Sequence, residues 1–136
     1  MKRTTNLRVL YVEDDQDSCD LVETMLRFAD IDVTHTGSID NAWKRAISES
    51  FDLYLLDGKV QDGKTLGLCG KLHEMSPETP ILFYSGLAGQ DDIQEGLTAG
   101  AQGYLVKPYF GNLAATVTNL VMSRSPNGNI ERSRFF

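Results

Sequence analysis

The sequence has few cysteines and no long apolar run, and both features narrow the classes of protein to which it can belong. Its 136 residues include only two cysteines, Cys19 and Cys69, whose spacing fits neither a metal-ligand motif nor a disulfide framework. No segment approaches the roughly 18 apolar residues that a membrane-spanning helix needs. The first residues are basic but no apolar signal-peptide core follows them, so we expect a cytoplasmic protein with both cysteines buried as small apolar residues.

Basic residues are also scarce, because 13 lysines and arginines face 19 aspartates and glutamates and the net charge is −6. A surface for nucleic acid needs clustered Lys and Arg to neutralise phosphates, so we expect no direct contact with nucleic acid. The sequence also lacks a Walker motif, a Ser-x-Gly nucleophile elbow and a glycine-rich turn after its first apolar segment. With 41% hydrophobic and 24% charged residues, the composition is typical of one globular domain.

Short apolar segments alternate with helical patterns along the chain. The predicted strands are 8–12, 32–36, 52–57, 80–85 and 103–107, of which only 32–36 has the polar alternation of an edge strand. The predicted helices follow them, at 17–29, 39–47, about 66–75, 91–99 and 112–123. Asp17 and Ser38 are predicted N-caps, and Gly100 is predicted to follow the end of the fourth helix. This alternation predicts right-handed βαβ units in a parallel sheet with helices on both faces.

Polar residues stand where the predicted strands end, and these are Glu13, Asp14, Asp15, Asp57, Ser85 and Lys107. Because the carboxyl ends of parallel strands form one edge of a sheet, we expect these side chains to lie close together. The acids could hold Mg²⁺, which is bound by one or two carboxylates with water and phosphate oxygens. Asp57 could be a ligand, a general base or a nucleophile that accepts a phosphoryl group, assisted by a metal, Lys107 and Ser85.

Each of these residues also has an ordinary structural explanation. Three consecutive acids suit the solvated start of a helix, Ser85-Gly86 is a common turn sequence, and a lysine at the end of a strand is commonly a surface charge. Asp57 favours a functional site, because a lone carboxylate that ends an apolar strand needs a partner. Lys107-Pro108 is a place where a cis peptide bond is accessible and can direct a side chain.

The stretches "RVLYVEDD", "FDLYLLDGKVQDG", "TPILFYSG" and "GAQGYLVKPY" together resemble the receiver domain of response regulators in two-component signalling. The resemblance covers about residues 6–124, which we expect to form the domain, and residues 125–136 are predicted to be a flexible tail. It implies a flavodoxin-like, doubly wound α/β fold with five parallel strands in the order 2-1-3-4-5. It also implies Mg²⁺-dependent phosphorylation of an aspartate by a histidine kinase or phosphotransfer protein, with self-catalysed phosphoryl transfer and autodephosphorylation as the only chemistry.

Carried over by position, the resemblance makes Asp57 the phosphoryl acceptor. Glu13 and Asp14 correspond to the acidic pair, in which Asp14 is a direct Mg²⁺ ligand and Glu13 acts through water. The backbone carbonyl of Lys59 would be a further ligand of the metal.

The remaining predicted site residues are Ser85, Lys107 and Tyr104. Ser85 and Lys107 correspond to the hydroxyl and the lysine that contact the phosphoryl group. Tyr104 corresponds to an aromatic whose ring rotates when the hydroxyl residue moves inward, although simple strand packing explains it equally well. The implied output surface is the face of the fourth helix, fifth strand and fifth helix, which would bind a downstream protein as a monomer or a phosphorylation-dependent dimer, without a membrane.

Several positions depart from the usual pattern of that family. Gly58 replaces a common bulky apolar residue, Gln61 stands where proline is usual, and Lys64-Thr65 replaces a frequent Asp-Gly. Lys59 is the sharpest departure, because a cation beside Asp57 could contact the phosphoryl group or compete for the acceptor. We therefore hypothesise that the lifetime of the phosphoryl group or the affinity for metal is altered.

Two other classes of function stay open on the sequence. The first is a metal-dependent hydrolase, which would usually need a second acid near the nucleophile and an inserted cap. The second is a receiver-like interaction module that works without phosphorylation. The chain could also be a stand-alone regulator or a receiver segment of a hybrid sensor kinase.

Overall fold

The computed structural model describes residues 6–109 and 111–123. Its strands are β1 (Leu7–Val12), β2 (Ile31–Thr36), β3 (Leu53–Leu56), β4 (Lys59–Val60), β5 (Gly63–Lys64), β6 (Ile81–Ser85) and β7 (Gly103–Val106). Its helices are α1 (Gln16–Arg27), α2 (Ile39–Ser48), α3 (Leu66–Met75), α4 (Gln90–Thr98) and α5 (Leu113–Ser123). In the part of the chain that the structure describes, no helix is long and apolar enough to cross a membrane.

Five of the strands form a parallel sheet in the order β2-β1-β3-β6-β7. This confirms the predicted order and the flavodoxin-like class, because β6 and β7 are the fourth and fifth predicted strands. The chain winds in opposite directions from β1, so the crevice between the ends of β1 and β3 is the place where such sheets form sites. The antiparallel hairpin of β4 and β5 was not predicted, because strands of two residues have no readable period.

Residues of the central strands alternate between two apolar layers. Val9 and Tyr11 pack with α1 and α5 on one face, whereas Leu10 and Val12 pack with α2 and α3 on the other. Because both faces of the sheet are covered, the strands read as continuous apolar runs. Both cysteines are buried, Cys19 in the first layer and Cys69 in the second, as predicted.

The helix ends test the predicted caps. The prediction of Asp17 as the first N-cap is wrong, because the extended residue before α1 is Asp15, whose carboxylate accepts from the Ser18 amide at 3.0 Å. Ser38 caps α2 by accepting from the Asn41 amide at 3.1 Å, which confirms that prediction. Gly100 follows α4 with a left-handed φ of 123°, also as predicted. The predicted tail, 125–136, lies outside the described residues.

Candidate functional site

The three consecutive acids after β1 lie in three different environments. Glu13 is buried, with 2% of its surface exposed, whereas Asp14 is exposed. Asp15 is exposed and caps α1. Of the three acids, only Asp15 therefore acts as an exposed acid at the start of the helix, the structural role that the sequence also allowed for Glu13 and Asp14.

Glu13 is held by four donors within the protein. Its Oε1 accepts from the Tyr11 hydroxyl at 3.2 Å and from the ammonium of Lys107. Its Oε2 accepts from the backbone amides of Asp14, at 3.1 Å, and Asp15, at 3.4 Å. Burial alone would raise the pKa of Glu13, but the hydrogen bond and the charge of the Lys107 ammonium outweigh it and hold the pKa below its ordinary value. Glu13 is therefore an ionised carboxylate whose burial is compensated.

Asp57 lies beside Glu13 at the end of β3. Its backbone amide donates to the Val12 carbonyl at 2.9 Å, which fixes it against the end of β1. Its Oδ1 accepts from the Gly58 amide at 2.7 Å, and its Oδ2 lies 3.8 Å from the Lys107 ammonium. Burial and then the neighbouring Glu13 carboxylate raise the pKa of Asp57 to about 6, although Lys107 opposes the shift. Of the two neighbouring carboxylates, Asp57 is the more easily protonated.

Lys107 joins the two carboxylates. Its side chain is 24% exposed and its ammonium bridges Glu13 and Asp57. The ammonium also lies 5.2 Å from the ring centroid of Tyr84, and the Lys107 amide donates to the Ser85 carbonyl at 2.8 Å. The Lys107-Pro108 peptide bond is cis. Lys107 is therefore part of the cluster and not a free surface charge.

Ser85 and Tyr104 are connected through one loop residue. Ser85 is fully buried at the end of β6, and its Oγ accepts from the Leu87 amide at 3.1 Å. The Tyr104 ring stacks on Phe83 with centroids 5.3 Å apart, and its hydroxyl donates to the Leu87 carbonyl at 2.6 Å. Strand packing thus accounts for the ring of Tyr104, while its hydroxyl ties it to the loop that begins at Ser85.

Lys59 lies on β4, directly opposite Lys64 of β5. Both residues are exposed, and the Lys59 side chain makes no ion pair with Asp57. Lys59 therefore does not compete with Lys107 for the Asp57 carboxylate in this structure. The hairpin is fastened at its turn, because the Asp62 carboxylate accepts from the Ile39 amide at the start of α2, at 2.9 Å and 3.0 Å.

Tyr11 and Thr65 belong to the site but were missed by the sequence reasoning. Tyr11 is fully buried and its hydroxyl reaches Glu13. Thr65 is also fully buried; its hydroxyl donates to the Asp57 carbonyl at 2.6 Å and its amide to the Gly58 carbonyl at 3.1 Å. For Tyr11, the only signal in the sequence is a hydroxyl-bearing aromatic in a largely apolar strand, and this does not identify the partner of its hydroxyl.

The residues predicted to hold Mg²⁺ can be tested against this geometry. Within 6–109 and 111–123, no three Asp, Glu, His or Cys side chains are grouped so as to hold a metal together. The prediction requires fewer, namely the carboxylates of Asp14 and Asp57 and the carbonyl of Lys59, with Glu13 acting through water. Mg²⁺ is usually bound by one or two carboxylates and several waters. Asp57 and Glu13, two carboxylates beside one ammonium, have the oxygen atoms and the excess negative charge that a hard divalent cation needs.

Sequence comparisons match this chain to response regulators. Residues 9–118 match the sequence model of the response regulator receiver domain. The response regulator protein PilR of Pseudomonas aeruginosa is 29% identical over 120 residues, which are 88% of this chain and 27% of PilR. The cell cycle response regulator CtrA of Brucella ovis is 29% identical over 119 residues, which are 88% of this chain and 51% of CtrA. The chain thus spans between about a quarter and a half of the length of these relatives.

The fold is also found among solved structures. A response regulator receiver domain protein (CheY-like) from Methanospirillum hungatei matches with a TM-score of 0.82 at 24% sequence identity. The match covers 88% of this chain and 97% of that protein. At this level of identity the likeness establishes the arrangement of strands and helices, which is the one described above.

Proposed function

The chain belongs to the response regulator receiver domain family, and on that premise we propose that Asp57 accepts a phosphoryl group from a histidine kinase or a phosphotransfer protein. The observation that carries the proposal is the pair of carboxylates, Asp57 and Glu13, that share the Lys107 ammonium at the carboxyl edge of the sheet. Asp57 has the higher pKa and the weaker contact with Lys107, so it is the carboxylate that can be released to react.

The transfer would form a bond between an Asp57 carboxylate oxygen and the phosphorus atom. The bond from phosphorus to the imidazole nitrogen of the donor breaks, and its electron pair stays on that nitrogen. Lys107 and Ser85 would neutralise and orient the phosphoryl oxygens, because this chemistry depends mainly on positioning and charge. Bound Mg²⁺, held by Asp14, Asp57 and the Lys59 carbonyl with Glu13 through water, would supply further neutralising charge.

The consequence of phosphorylation would pass through Ser85, Leu87 and Tyr104. A phosphoryl group that draws the Ser85 hydroxyl toward it would disturb the bond from the Leu87 amide, and Tyr104 is bonded to the same residue. The surface formed by α4, β7 and α5 would then bind a downstream protein, as a monomer or a phosphorylation-dependent dimer. We place this action in the cytoplasm, with no direct binding of nucleic acid or membrane by these residues.

A small phosphodonor tests the acceptor directly. After incubation with acetyl phosphate and Mg²⁺, intact-mass spectrometry should show one added phosphoryl group on the wild type. Asp57→Ala should abolish the adduct, whereas Asp40→Asn, an exposed aspartate on α2, should keep it. No adduct on the wild type would contradict the proposal and support an interaction module that works without phosphorylation.

Lys59 gives a separate test of how long the phosphoryl group lasts. We propose that its cationic side chain, two residues after the acceptor, alters the rate of autodephosphorylation. Decay of the adduct should differ between the wild type and Lys59→Asn, with Lys64→Asn as the control for loss of one exposed hairpin lysine. Equal decay rates in all three proteins would remove this role.

A further inference from the structure

Gly58 directly follows Asp57, and the space beside it is occupied by the side chains of Ser85 and Leu87. An ideal Cβ on Gly58 would lie 2.8 Å from Ser85 Oγ and 2.9 Å from Leu87 Cδ1. Both distances are too short for a non-bonded contact, so any residue with a Cβ requires these two side chains to move. The φ of Gly58 lies outside the left-handed region. Among the described glycines, Gly63 and Gly100 have left-handed φ values. The close approach of Ser85 and Leu87, and not backbone freedom, therefore accounts for glycine at this position.

The two groups that occupy this space are linked to Tyr104. The Leu87 amide donates to Ser85 Oγ at 3.1 Å, and the Leu87 carbonyl accepts from the Tyr104 hydroxyl at 2.6 Å. Both polar backbone groups of Leu87 are thus bonded while its side chain rests on Gly58. Gly58, Leu87 and Tyr104 also line one small cavity together with Phe83, on which the Tyr104 ring stacks. The residue after the acceptor and the tyrosine are therefore parts of one packed unit.

We propose that Gly58 is a positioning residue. By carrying no side chain, it allows the Ser85 hydroxyl and Leu87 to lie against the acceptor backbone, and it holds Tyr104 inward before any phosphoryl group is present. A methyl group at position 58 would force both Ser85 Oγ and the Leu87 side chain to move away from it. Movement of Oγ displaces the hydroxyl that would contact the phosphoryl group, so the inference rests in part on the proposed role of Asp57 as acceptor.

The same loop contains a matched control. Gly86 directly follows Ser85, and a Cβ on Gly86 would meet nothing within 4 Å. Its φ is also outside the left-handed region. Gly86→Ala therefore introduces the same methyl group and the same loss of backbone entropy in the unfolded chain without a steric clash.

A double-mutant cycle can separate positioning from general damage. We expect Gly58→Ala to slow adduct formation with acetyl phosphate and Mg²⁺ by about a hundredfold, because misplacement of a reacting group by about 1 Å can have that effect. Ser85→Ala should slow it similarly. The Gly58→Ala/Ser85→Ala protein should be no slower than Ser85→Ala, because no hydroxyl is left at position 85 for the new methyl group to displace. Gly86→Ala should stay within about twofold of the wild type.

A second measurement needs no phosphodonor. The ring proton NMR signals of Tyr104, assigned with Tyr104→Phe, should shift in Gly58→Ala and not in Gly86→Ala. If Gly58→Ala unfolds, Gly58→Ala/Leu87→Ala removes the contact at 2.9 Å, and the cycle is completed in the Leu87→Ala background. Unchanged Tyr104 signals, or independent multiplication of the two rate effects, would overturn the inference. A wild type without an adduct would refute the proposed function, whereas the Tyr104 signals would still decide the role of Gly58.

Discussion

The two edges of the sheet hold similar kinds of charged residues in different arrangements. At the amino edge, the Arg8 guanidinium binds Glu49 at 2.8 Å, and Arg45 binds the same carboxylate at 2.9 Å. The Arg8 amide donates to the Asp52 carboxylate at 2.8 Å, so two cations face two anions. At the carboxyl edge, Glu13 and Asp57 share one ammonium.

The two edges differ in how deeply their charged side chains are buried and in whether positive and negative groups are equal in number. The amino-edge pairs involve partly exposed side chains, so solvent screens them and each stabilises the fold only slightly. The carboxyl edge combines an almost completely buried Glu13 with an Asp57 whose pKa is raised, so its charges are held at some expense of stability. The charges at the amino edge are balanced, whereas at the carboxyl edge two carboxylates share one ammonium.

The largest effect should follow removal of the ammonium that the two carboxylates share. Lys107→Met leaves Glu13 buried beside Asp57 without a cation, so we expect the free energy of unfolding to fall by about 3 kcal/mol at pH 7.5, the lower end of the usual range because Lys107 is partly exposed. Urea denaturation measures this, with Lys44→Met, an exposed lysine on α2, as the control. A loss no larger than that of the control would show that the two edges do not differ.

Removal of the charge of Asp57 should have an opposite and smaller effect on stability. The pKa of Asp57 in the folded protein, about 6, is above its ordinary value of 3.8. The folded state therefore binds more protons than the unfolded state between these values, and ionisation of Asp57 lowers the wild type's stability as pH rises. We expect Asp57→Asn to raise the free energy of unfolding by about 1–2 kcal/mol at pH 7.5.

That gain should shrink as pH falls through 6 toward 4. Urea denaturation at several pH values measures it, and Asp32→Asn, on the exposed part of β2, is the matched control. A gain that stayed constant with pH would mean that packing, and not ionisation of Asp57, explains the effect.

The hydroxyl of Tyr11 should contribute less. Tyr11→Phe removes one of four donors to Glu13 and leaves the ring in place, so we expect a loss of about 1 kcal/mol in the free energy of unfolding. Tyr54→Phe, a buried tyrosine at the other end of the sheet's core, controls for loss of a phenolic hydroxyl. If both variants lost the same amount, the bond between Tyr11 and Glu13 would have no special weight.

The smallest effect is expected at the amino edge. Glu49→Gln weakens the contacts of this carboxylate with Arg8 and Arg45, yet the free energy of unfolding should change by less than about 1 kcal/mol. The change should become smaller still as the salt concentration rises, because solvent ions screen exposed pairs. A loss as large as that of Lys107→Met would contradict the distinction between the edges.

Much of the fold could be predicted because strands covered on both faces and amphipathic helices leave strong periodic patterns. The cap at Ser38 and the turn at Gly100 follow from local signals, whereas the sheet order was implied by the resemblance to receiver domains. The hairpin of β4 and β5 was missed because it has too few residues for a pattern. The cap was predicted at Asp17 and is at Asp15, because aspartate is an acceptable cap at either position and the start of the helix depends on where the chain leaves β1.

The site was predictable in outline for a different reason. Parallel strands bring their carboxyl ends to one edge, so Glu13, Asp57 and Lys107 were expected at the same edge of the sheet. The sequence does not reveal which acid is buried, because Glu13 and Lys107 are 94 positions apart and their contact depends on strand register. Gly58 was noticed as a departure from the family pattern, but its reason became clear only from the position of Ser85.

The burial of both native thiols has a practical consequence for fluorescence work. Cys19 and Cys69 are at most 2% exposed, and burial raises the pKa of the Cys19 thiol to about 11, so neither should react readily with a maleimide dye. Gln61 is exposed at the tip of the hairpin, whose base is tied by Thr65 and whose turn is tied by Asp62. A cysteine in place of Gln61 would therefore carry a maleimide dye four residues from Asp57, while Cys19 and Cys69 stay unlabelled.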